Sequence, residues 1–293
     1  MSRIDPLLLA QLRGWEGRCE TLHDAITAAP ANGLSATLDR ADGAPAPGDE
    51  LPPLWHWLYF LPQAPQHALG EDGHPRRGGF LPPVPLPRRM WAGGRLQWMQ
   101  PMRIGDEVRK TSQILSVTHK AGRSGDLVFT TVRHDFTAGE AGEGMPVNLR
   151  EEQDIVYRAM PRPGDPSLPA QKAPGDAAWS REIVPDPVLL FRYSALTFNG
   201  HRIHYDRRYA VEQESYPALV VHGPLIATLL ADLVRRECPR QRFAAFSFRA
   251  VRPLFDLHPF HVCGRPAADG KSAQLWAKDH EGLLAMQAEV KFQ

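Results

Sequence analysis

Apolar and polar residues alternate along several runs in the first half of the chain, and this alternation is the period of a half-buried strand. Short connections join these runs, with residues 121–125 as the clearest turn, so they predict an antiparallel sheet. An earlier stretch, residues 7–27, has apolar residues at a looser helical spacing and predicts an amphipathic helix. The predicted strands of this half are residues 95–99, 107–117, 126–136 and 153–158.

The second half combines one strongly apolar helix with a further set of strands. Ile226, Leu229, Leu230 and Leu233 recur at helical spacing within residues 224–236, and arginines occupy the last turn. In both halves a strand, a proline, a polar corner and a second strand follow in the same order, which indicates a weak internal duplication. The strands predicted after the helix are residues 242–251, 260–265, 272–277 and 283–290.

A stretch rich in proline, glycine, alanine and aspartate separates the two halves and has the composition of an interdomain linker. The sequence therefore predicts an N-terminal half over residues 1–160, a linker over 161–186 and a C-terminal half over 187–293. A second irregular stretch, residues 70–87, is too rich in Gly, Pro and Arg for a regular element. A loop of that length in a compact protein is usually functional.

Composition narrows the class of protein but not its chemistry. Apolar residues make up 43% of the 293 residues, and the net charge of +1 gives no bulk attraction to nucleic acid or to an anionic membrane. No stretch approaches the roughly 20 apolar residues of a membrane span, and residues 1–10 do not resemble a secretory signal. We therefore expect a cytoplasmic protein. The three cysteines are far apart, which argues against a disulfide framework and a zinc site.

Titratable residues are concentrated in one stretch that contains His201, His204, Asp206 and His222. Such groups are costly to bury beside apolar sequence unless they are paired, so the cluster is a candidate site. Plainer interpretations stay open: Asp206 caps a short helix, His222 orients its loop through a backbone hydrogen bond, and His201 faces solvent. His56, which lies between two tryptophans, is expected to be a hydrogen-bonded core histidine.

A family resemblance rests on residues 204–210, His-Tyr-Asp-Arg-Arg-Tyr-Ala, followed by Val-His-Gly-Pro at 221–224 and an apolar helix. This pattern resembles the hydratase motif of the MaoC-like hotdog proteins. The sequence of residues 194–206 resembles that of one branch of this family, which includes mitochondrial-type 3-hydroxyacyl thioester dehydratases and mesaconyl- or itaconyl-CoA hydratases. In one departure from the family pattern, Asn199 stands where the family has an aspartate.

The resemblance implies an α+β double hotdog with two antiparallel sheets, each associated with a helix. The C-terminal half would wrap a long central helix and carry the hydratase motif. The N-terminal half would be degenerate and non-catalytic. Because sheet edges need covering, we also expect a homodimer.

The activity implied by the resemblance is that of a hydro-lyase. Water would add reversibly to an enoyl thioester, most naturally a short branched or dicarboxylic acyl-CoA of the mesaconyl-CoA or itaconyl-CoA type. His204 would act as base and then as acid, and Asn199 would hold the water. The backbone N–H of Gly223 would stabilise negative charge on the thioester oxygen. Asp206 is the carboxylate that would assist catalysis if it does more than cap a helix.

Substrate binding is assigned to arginines, because bidentate guanidinium groups suit the phosphates of CoA. Arg202, Arg207, Arg249 and Arg252, together with His222, are the expected substrate-binding residues. Any arginine near the site could instead pair with a free carboxylate of a dicarboxylic substrate. The irregular loop carries four more: Arg76, Arg77, Arg88 and Arg89.

Other functions stay open at the level of the sequence. No metal or redox cofactor is expected, since there is neither a clear ligand cluster nor a dinucleotide-type glycine loop. The alternatives are a dehydratase acting on 3-hydroxyacyl chains held by a carrier protein, a hotdog thioesterase, and a non-catalytic acyl-CoA-binding protein.

Overall fold

The strands pair into one antiparallel sheet in the structure, a computed structural model that describes residues 4–41, 43, 45–122, 125–139, 146–160 and 170–293. The strands of these residues are β1 (Cys19–Ala25), β2 (Arg88–Trp98), β3 (Glu107–Gly122), β4 (Gly125–Ala138), β5 (Leu149–Arg158), β6 (Trp179–Ile183), β7 (Phe243–Ala250), β8 (Phe260–Pro266), β9 (Ser272–Lys278) and β10 (Leu284–Phe292). Their order across the sheet is β1-β3-β4-β5-β2-β7-β10-β9-β8-β6. The strands of the first half therefore lie on one side and those of the second half on the other.

Helices cover the sheet or connect its strands. Short 3₁₀ turns accompany them at Trp55–Leu58, Gln66–Ala68 and Arg202–His204. No helix among the described residues is long and apolar enough to cross a membrane. The α-helices are α1 (Pro6–Arg13), α2 (Ala28–Thr37), α3 (Pro187–Leu196), α4 (Arg207–Glu212) and α5 (Gly223–Glu237).

The two halves join where β2 pairs with β7, in a register that sets Gly93 opposite Arg249 and Gly94 opposite Phe248. A Cβ on Gly93 would lie 2.5 Å from the Phe248 carbonyl oxygen, and one on Gly94 would lie 2.9 Å from the Phe248 ring. Glycine is needed here because only a residue without a side chain lets the strands approach this closely. The two expected sheets are thereby joined edge to edge.

The central helix α5 lies against the strands of the second half. Its residues from Leu225 to Val234 are all buried, which is the pattern of a helix enclosed on every side. Each buried Leu or Ile contributes about 1.5–3 kcal/mol relative to an exposed one. The same core cluster contains Leu96 and Phe136 of the first half, so the halves share one hydrophobic core.

Two predictions about local structure are wrong. The helix expected over residues 7–27 ends at Arg13, and Cys19–Ala25 is instead strand β1, held by antiparallel pairing with β3. The linker expected over 161–186 contains strand β6, which pairs with β8, and its Pro161, Pro163, Pro166 and Pro169 lie outside the described residues. The division into an N-terminal and a C-terminal half otherwise stays a prediction. Residues 123–124 of the predicted turn also lie outside the described residues.

Candidate active site

Four histidine rings lie in a row, three from the C-terminal half and one from the irregular loop of the N-terminal half. The ring centroids are 3.7 Å apart between His222 and His204, 5.4 Å between His204 and His201, and 4.2 Å between His201 and His74. Asp72 ends the row, with a carboxylate oxygen 3.2 Å from Nδ1 of His74. We call these five residues the histidine row.

His204 is the histidine whose environment best suits proton transfer. It is 7% exposed, and its Nδ1–H donates to the Val220 carbonyl oxygen at 2.7 Å. That bond selects the tautomer in which Nε2 carries the lone pair, and Nε2 has no hydrogen-bond partner among the described residues. Burial lowers the pKa of His204 to about 4, so the ring is neutral at pH 7 and Nε2 can accept a proton.

His222 lies behind His204 and is 0% exposed. Its ring stacks on that of His204 with an interplanar angle of 19°, and its Nε2 lies 2.8 Å from Ser194 Oγ. Burial holds the pKa of His222 well below its usual range. The sequence predicted a hydrogen bond from His222 to the backbone. The structure shows instead a hydrogen bond between the His222 ring and the Ser194 side chain. This placement favours an orienting role for His222 over contact with substrate.

Gly223 is the first residue of α5, and its backbone N–H belongs to the helical turn that has no intrahelical acceptor. A Cβ on Gly223 would meet nothing within 4 Å, so there is open space beside this backbone. The positive end of the helix dipole lies at the same point. The position therefore suits an oxygen that gains negative charge, as predicted from the sequence.

Asn199 and Asp206 make local hydrogen bonds. The Asn199 side-chain oxygen accepts from the backbone N–H of His201 at 3.1 Å, and the amide NH₂ has no such local partner among the described residues. Asp206 caps α4 by accepting from the Tyr209 N–H at 3.0 Å, and its second oxygen accepts from Arg202 at 2.7 Å. The cap interpretation is confirmed. Both carboxylate oxygens already accept hydrogen bonds from these groups, and the catalytic role of Asp206 stays a prediction.

The irregular loop of the first half brings Asp72 and His74 to the row. The Arg202 N–H donates to the Asp72 carbonyl oxygen at 2.9 Å, which ties the loop to the hydratase motif. Gly73 has φ +86°, and a Cβ there would lie 1.9 Å from the Gly200 carbonyl oxygen. Glycine is required at this contact both for the backbone conformation and for the space.

Asp72 supplies an ionised carboxylate at the end of the row. Burial alone would raise the pKa of Asp72, but hydrogen bonds from the side chain and backbone of His74 hold it well below its usual range. Burial also lowers the pKa of His201, and the neighbouring His74 and His204 add to the effect. His201 is therefore partly buried between two other rings. The expectation that it faces solvent is wrong.

Asp72, His74 and His201 each offer one ligand atom, and these atoms lie within 4.8 Å of one another. Two imidazoles and one carboxylate form a donor set that can hold a divalent transition metal. The positive charges of Arg77 and Arg89 act on His74, however, and they oppose a further cation. The absence of a metal from the reaction stays a prediction.

Most of the arginines expected to bind substrate already have carboxylate partners. Arg202 pairs with Asp206 at 2.7 Å, Arg252 pairs with Asp279 at 3.2 Å, and Arg207 pairs with Asp256. Arg249 is exposed on β7, where it has no ion-pair partner among the described residues. These residues stay predictions for CoA binding, and the pairs make the first three less available.

A cavity of about 410 Å³ lies at the other end of α5. It is lined by Arg40, Arg235, Arg240 and Arg242 among others. The helix has 15 residues, so at about 1.5 Å per residue the cavity lies roughly 20 Å from Gly223. It is therefore separate from the histidine row and has no part in the chemistry there.

Sequence reasoning missed Asp72, His74 and Ser194. Asp72 and His74 lie more than a hundred residues before the motif, in a segment without any periodic pattern. Ser194 lies within the motif, and its hydroxyl holds the His222 ring. The available signal was Asp72-Gly-His74, an acid and a histidine placed around a glycine in a loop already suspected of function.

Fold and site together define a double-hotdog protein with a hydratase-type histidine and, at the start of its central helix, a backbone N–H that has no acceptor among the described residues. The hydroxyacyl-thioester dehydratase type 2 family model matches residues 54–256. The chain belongs to this family, and it is an enzyme of the hydro-lyase type that acts on enoyl or 3-hydroxyacyl thioesters. The predicted resemblance and the predicted reaction class are confirmed.

Individual relatives agree with this assignment. The chain is 49% identical over 282 residues to the mesaconyl-C(4)-CoA hydratase of Chloroflexus aurantiacus, covering 96% of this chain and 98% of that protein. A MaoC-like dehydratase from Phytophthora capsici superposes with a TM-score of 0.68 at 12% identity, covering 97% of each chain. A Mycobacterium tuberculosis protein described as a double hotdog superposes with a TM-score of 0.56 at 12% identity, over 95% of this chain and 96% of that one. These likenesses confirm the fold.

Proposed function

We propose that the enzyme adds water reversibly to a short branched or dicarboxylic enoyl-CoA, of the mesaconyl-CoA or itaconyl-CoA type. The observation that carries the proposal is the neutral His204, whose Nδ1 is fixed by Val220 and whose Nε2 is free beside the start of α5. The close similarity to a mesaconyl-C(4)-CoA hydratase supports the choice of acyl group.

In the hydration direction, Nε2 of His204 removes a proton from water as the water oxygen attacks Cβ of the enoyl group. Negative charge then develops on the thioester oxygen, where the Gly223 N–H and the positive end of α5 stabilise it. One donor of this kind contributes about 3–4 kcal/mol in well-studied enzymes. The protonated His204 finally delivers the proton to Cα, which restores the neutral ring.

A base with a pKa near 4 needs support when it becomes charged. The stacked His222 is held by Ser194 and keeps the His204 ring in place, but it supplies no negative charge. Asp72 is the ionised carboxylate that the row of rings connects to His204 through His74 and His201. We propose that Asp72 offsets part of this charge in place of the carboxylate that is missing at Asn199.

We further propose that the enzyme works in the cytoplasm and forms a homodimer. The support for a dimer is that β1 and β6 are the edge strands of the described sheet, and unpaired edges favour association. Sedimentation of the purified protein tests the dimer directly, because a mass of one chain at micromolar concentration would contradict it.

The substrate is tested by mixing the purified protein with crotonyl-, mesaconyl- and itaconyl-CoA. Loss of the conjugated enoyl thioester is followed by absorbance, and the gain of one water is followed by mass spectrometry. We expect turnover to be fastest with a branched dicarboxylic substrate. The His204→Ala variant, assayed in parallel, shows whether any turnover belongs to the row.

The alternatives give different results in the same experiment. A thioesterase would release free CoA thiol from saturated and unsaturated substrates alike. A carrier-protein dehydratase would prefer 3-hydroxyacyl chains on a carrier protein over the CoA esters. A binding protein would take up acyl-CoA with no turnover, and absence of turnover with every enoyl thioester would reject the proposed function.

A further inference from the structure

Two neighbouring arginines on β2 have different surroundings because successive side chains of a strand point to opposite faces. Arg88 is buried, pairs with Glu214 at 3.0 Å and lies 4.6 Å over the Tyr216 ring, so it ties the two halves together. Arg89 lies on the other face and has no carboxylate of a described residue within ion-pair distance. A partly buried guanidinium without an acid partner is unusual and suits an external anion.

The hydroxyl of Tyr157 lies beside Arg89, whose guanidinium lowers the pKa of the hydroxyl although burial raises it on balance. Arg89 and Tyr157 are direct neighbours in the antiparallel register of β2 and β5. Tyr157 is 0% exposed, and its hydroxyl has no hydrogen-bond partner among the described residues. A buried hydroxyl left unpaired costs free energy unless a ligand satisfies it.

Arg77 completes this group from the irregular loop. Its guanidinium lies 5.5 Å over the Tyr157 ring. It also donates to the carbonyl oxygens of Val84, Leu86 and Pro87, so its main role is to hold the loop together. Arg77 therefore adds positive charge at a fixed position but has fewer donors left for a ligand than Arg89 has.

This group adjoins the histidine row. Burial lowers the pKa of both His74 and His201, and the positive charge of Arg89 acts in the same direction on each. With the histidines neutral, the ionised groups here are Arg77, Arg89 and Asp72, which sum to one positive charge. A ligand with one negative charge would neutralise the group, whereas a cation would increase the repulsion.

We infer that Arg89, Tyr157 and Arg77 form an anion subsite that binds the free carboxylate of the acyl group during hydration. The inference rests on the proposed function for the identity of the thioester. In a short dicarboxylic acyl group the free carboxylate is close to the carbon that takes the hydroxyl. The loop that carries Arg77 also carries His74, so the group lies on the His74 side of the row.

Saturated thioesters test the subsite without any catalysis. We would measure the binding of succinyl-CoA, which carries a free carboxylate, and butyryl-CoA, which does not, by calorimetry. Loss of a charge-assisted hydrogen bond in Arg89→Gln should weaken succinyl-CoA binding by about 10- to 100-fold and leave butyryl-CoA within about twofold. Tyr157→Phe should weaken succinyl-CoA alone by a smaller factor of about 2–10.

Two further variants guard against a general effect. Arg95→Gln removes the same charge from a residue of the same strand that pairs with Glu152 and Asp154, and it should leave both affinities unchanged. Arg89→Lys keeps the charge but not the bidentate donors, and it should restore part of the succinyl-CoA affinity. If Arg89→Gln is unfolded, Arg89→Lys still tests the inference.

The possible outcomes separate two sources of the anion. Selective loss of succinyl-CoA supports recognition of the acyl carboxylate, and it would stand even if no enoyl thioester were hydrated. An equal loss for both ligands would assign Arg89 to the phosphates of CoA and overturn the inference. Unchanged affinity for both ligands would also overturn it.

Discussion

Two groups in the molecule place histidine beside a carboxylate, one within the N-terminal half and one, the histidine row, shared between the halves, and they differ in how completely they are paired. In the N-terminal half, Glu151 is 1% exposed and accepts from His56 at 3.0 Å, from Trp57 at 3.0 Å and from Gln153 at 2.9 Å. We call these four residues the N-terminal cluster. In the histidine row, by contrast, the free Nε2 of His204 and the open backbone of Gly223 are available to a reactant.

This difference separates a structural polar cluster from a catalytic one. Burial alone would raise the pKa of Glu151, but His56, His134 and Gln153 together lower it to about 2, so the buried carboxylate is ionised and held by three side-chain hydrogen bonds. His56 is thus the hydrogen-bonded core histidine that the sequence predicted. Histidines with shifted pKa values occur in both halves, so a shifted pKa does not by itself identify the site. The site is identified by polar atoms that have no protein partner among the described residues and that a ligand can reach.

The largest expected effect on stability is in the N-terminal cluster. His56→Ala should lower the free energy of unfolding by about 3–5 kcal/mol, because it leaves a buried carboxylate without its main partner. The hydration rate per folded molecule should stay near the wild-type value. Urea unfolding and an activity assay on the folded fraction measure the two effects, with the exposed His23→Ala on β1 as control. A large fall in the rate per folded molecule would make the cluster part of the catalytic machinery.

A smaller effect on activity is expected where the two halves meet at the loop. Gly73→Ala should reduce kcat/KM for hydration by about 10- to 100-fold, because the new Cβ displaces Asp72 and His74 from the row. Gly79→Ala lies in the same loop with nothing within 4 Å, so it should be neutral. Equal rates for the two variants would show that the first half does not contribute to the row.

The pH dependence of stability should reflect the buried histidines of both regions. Burial lowers the pKa of His134 to about 3 and of His204 to about 4, and it holds that of His222 well below its usual range. Below pH 6.5 the unfolded chain binds protons at these residues and the folded chain does not, so stability must fall as pH falls from 6.5 towards 4. Each group contributes up to about 1.4 kcal/mol per pH unit.

Urea midpoints at pH 7.5, 6.5 and 5.5 measure this slope. The carboxylates with lowered pKa values, which include Asp72, Glu151 and Asp206, lose their contribution to stability only below about pH 4.5, and so do not obscure the slope. His134→Gln should reduce the dependence of unfolding free energy on pH by up to about 1.4 kcal/mol per pH unit, the contribution of one titrating group. A midpoint that does not change between pH 7.5 and 5.5 would contradict the assignment of neutral buried histidines.

The smallest effect is expected at the support for the stacked ring. Ser194→Ala removes the hydrogen bond to His222 Nε2 and should lower kcat by about 2–10-fold, the equivalent of one hydrogen bond. KM should change little, since Ser194 is buried behind the row. A rise in KM with unchanged kcat would instead place His222 in contact with substrate.

The hydratase motif could be predicted because its geometry is local. His204, the Asp206 cap and Gly223 at the start of α5 all follow from short sequence spacings. The central helix followed from its apolar periodicity. Strand β1 could not be predicted, because its pairing with β3 overrides a weak helical pattern in the sequence.

The contributions of the first half to the site depend on contacts that no periodicity reports. Asp72 and His74 reach the row through a loop fixed by the contact between Gly73 and Gly200. Arg89 is paired with Tyr157 only because β2 begins at Arg88, seven residues before the strand predicted at 95–99. Arg202 and Arg207 were predicted to bind substrate because they lie close to the motif in the sequence. The ion pairs that they form with Asp206 and Asp256 depend on the fold, so the sequence could not predict them.

The central claim is that hydration depends on His204 and not on the neighbouring Asp206. The most direct measurement compares kcat/KM of His204→Ala and Asp206→Asn with that of wild type on mesaconyl-C4-CoA, with folding checked by circular dichroism. We predict a loss of about 10²–10⁴-fold for His204→Ala, the usual contribution of a general acid-base residue, and a change of less than about fivefold for Asp206→Asn. A His204→Ala variant that kept more than half of the wild-type kcat/KM would contradict the account.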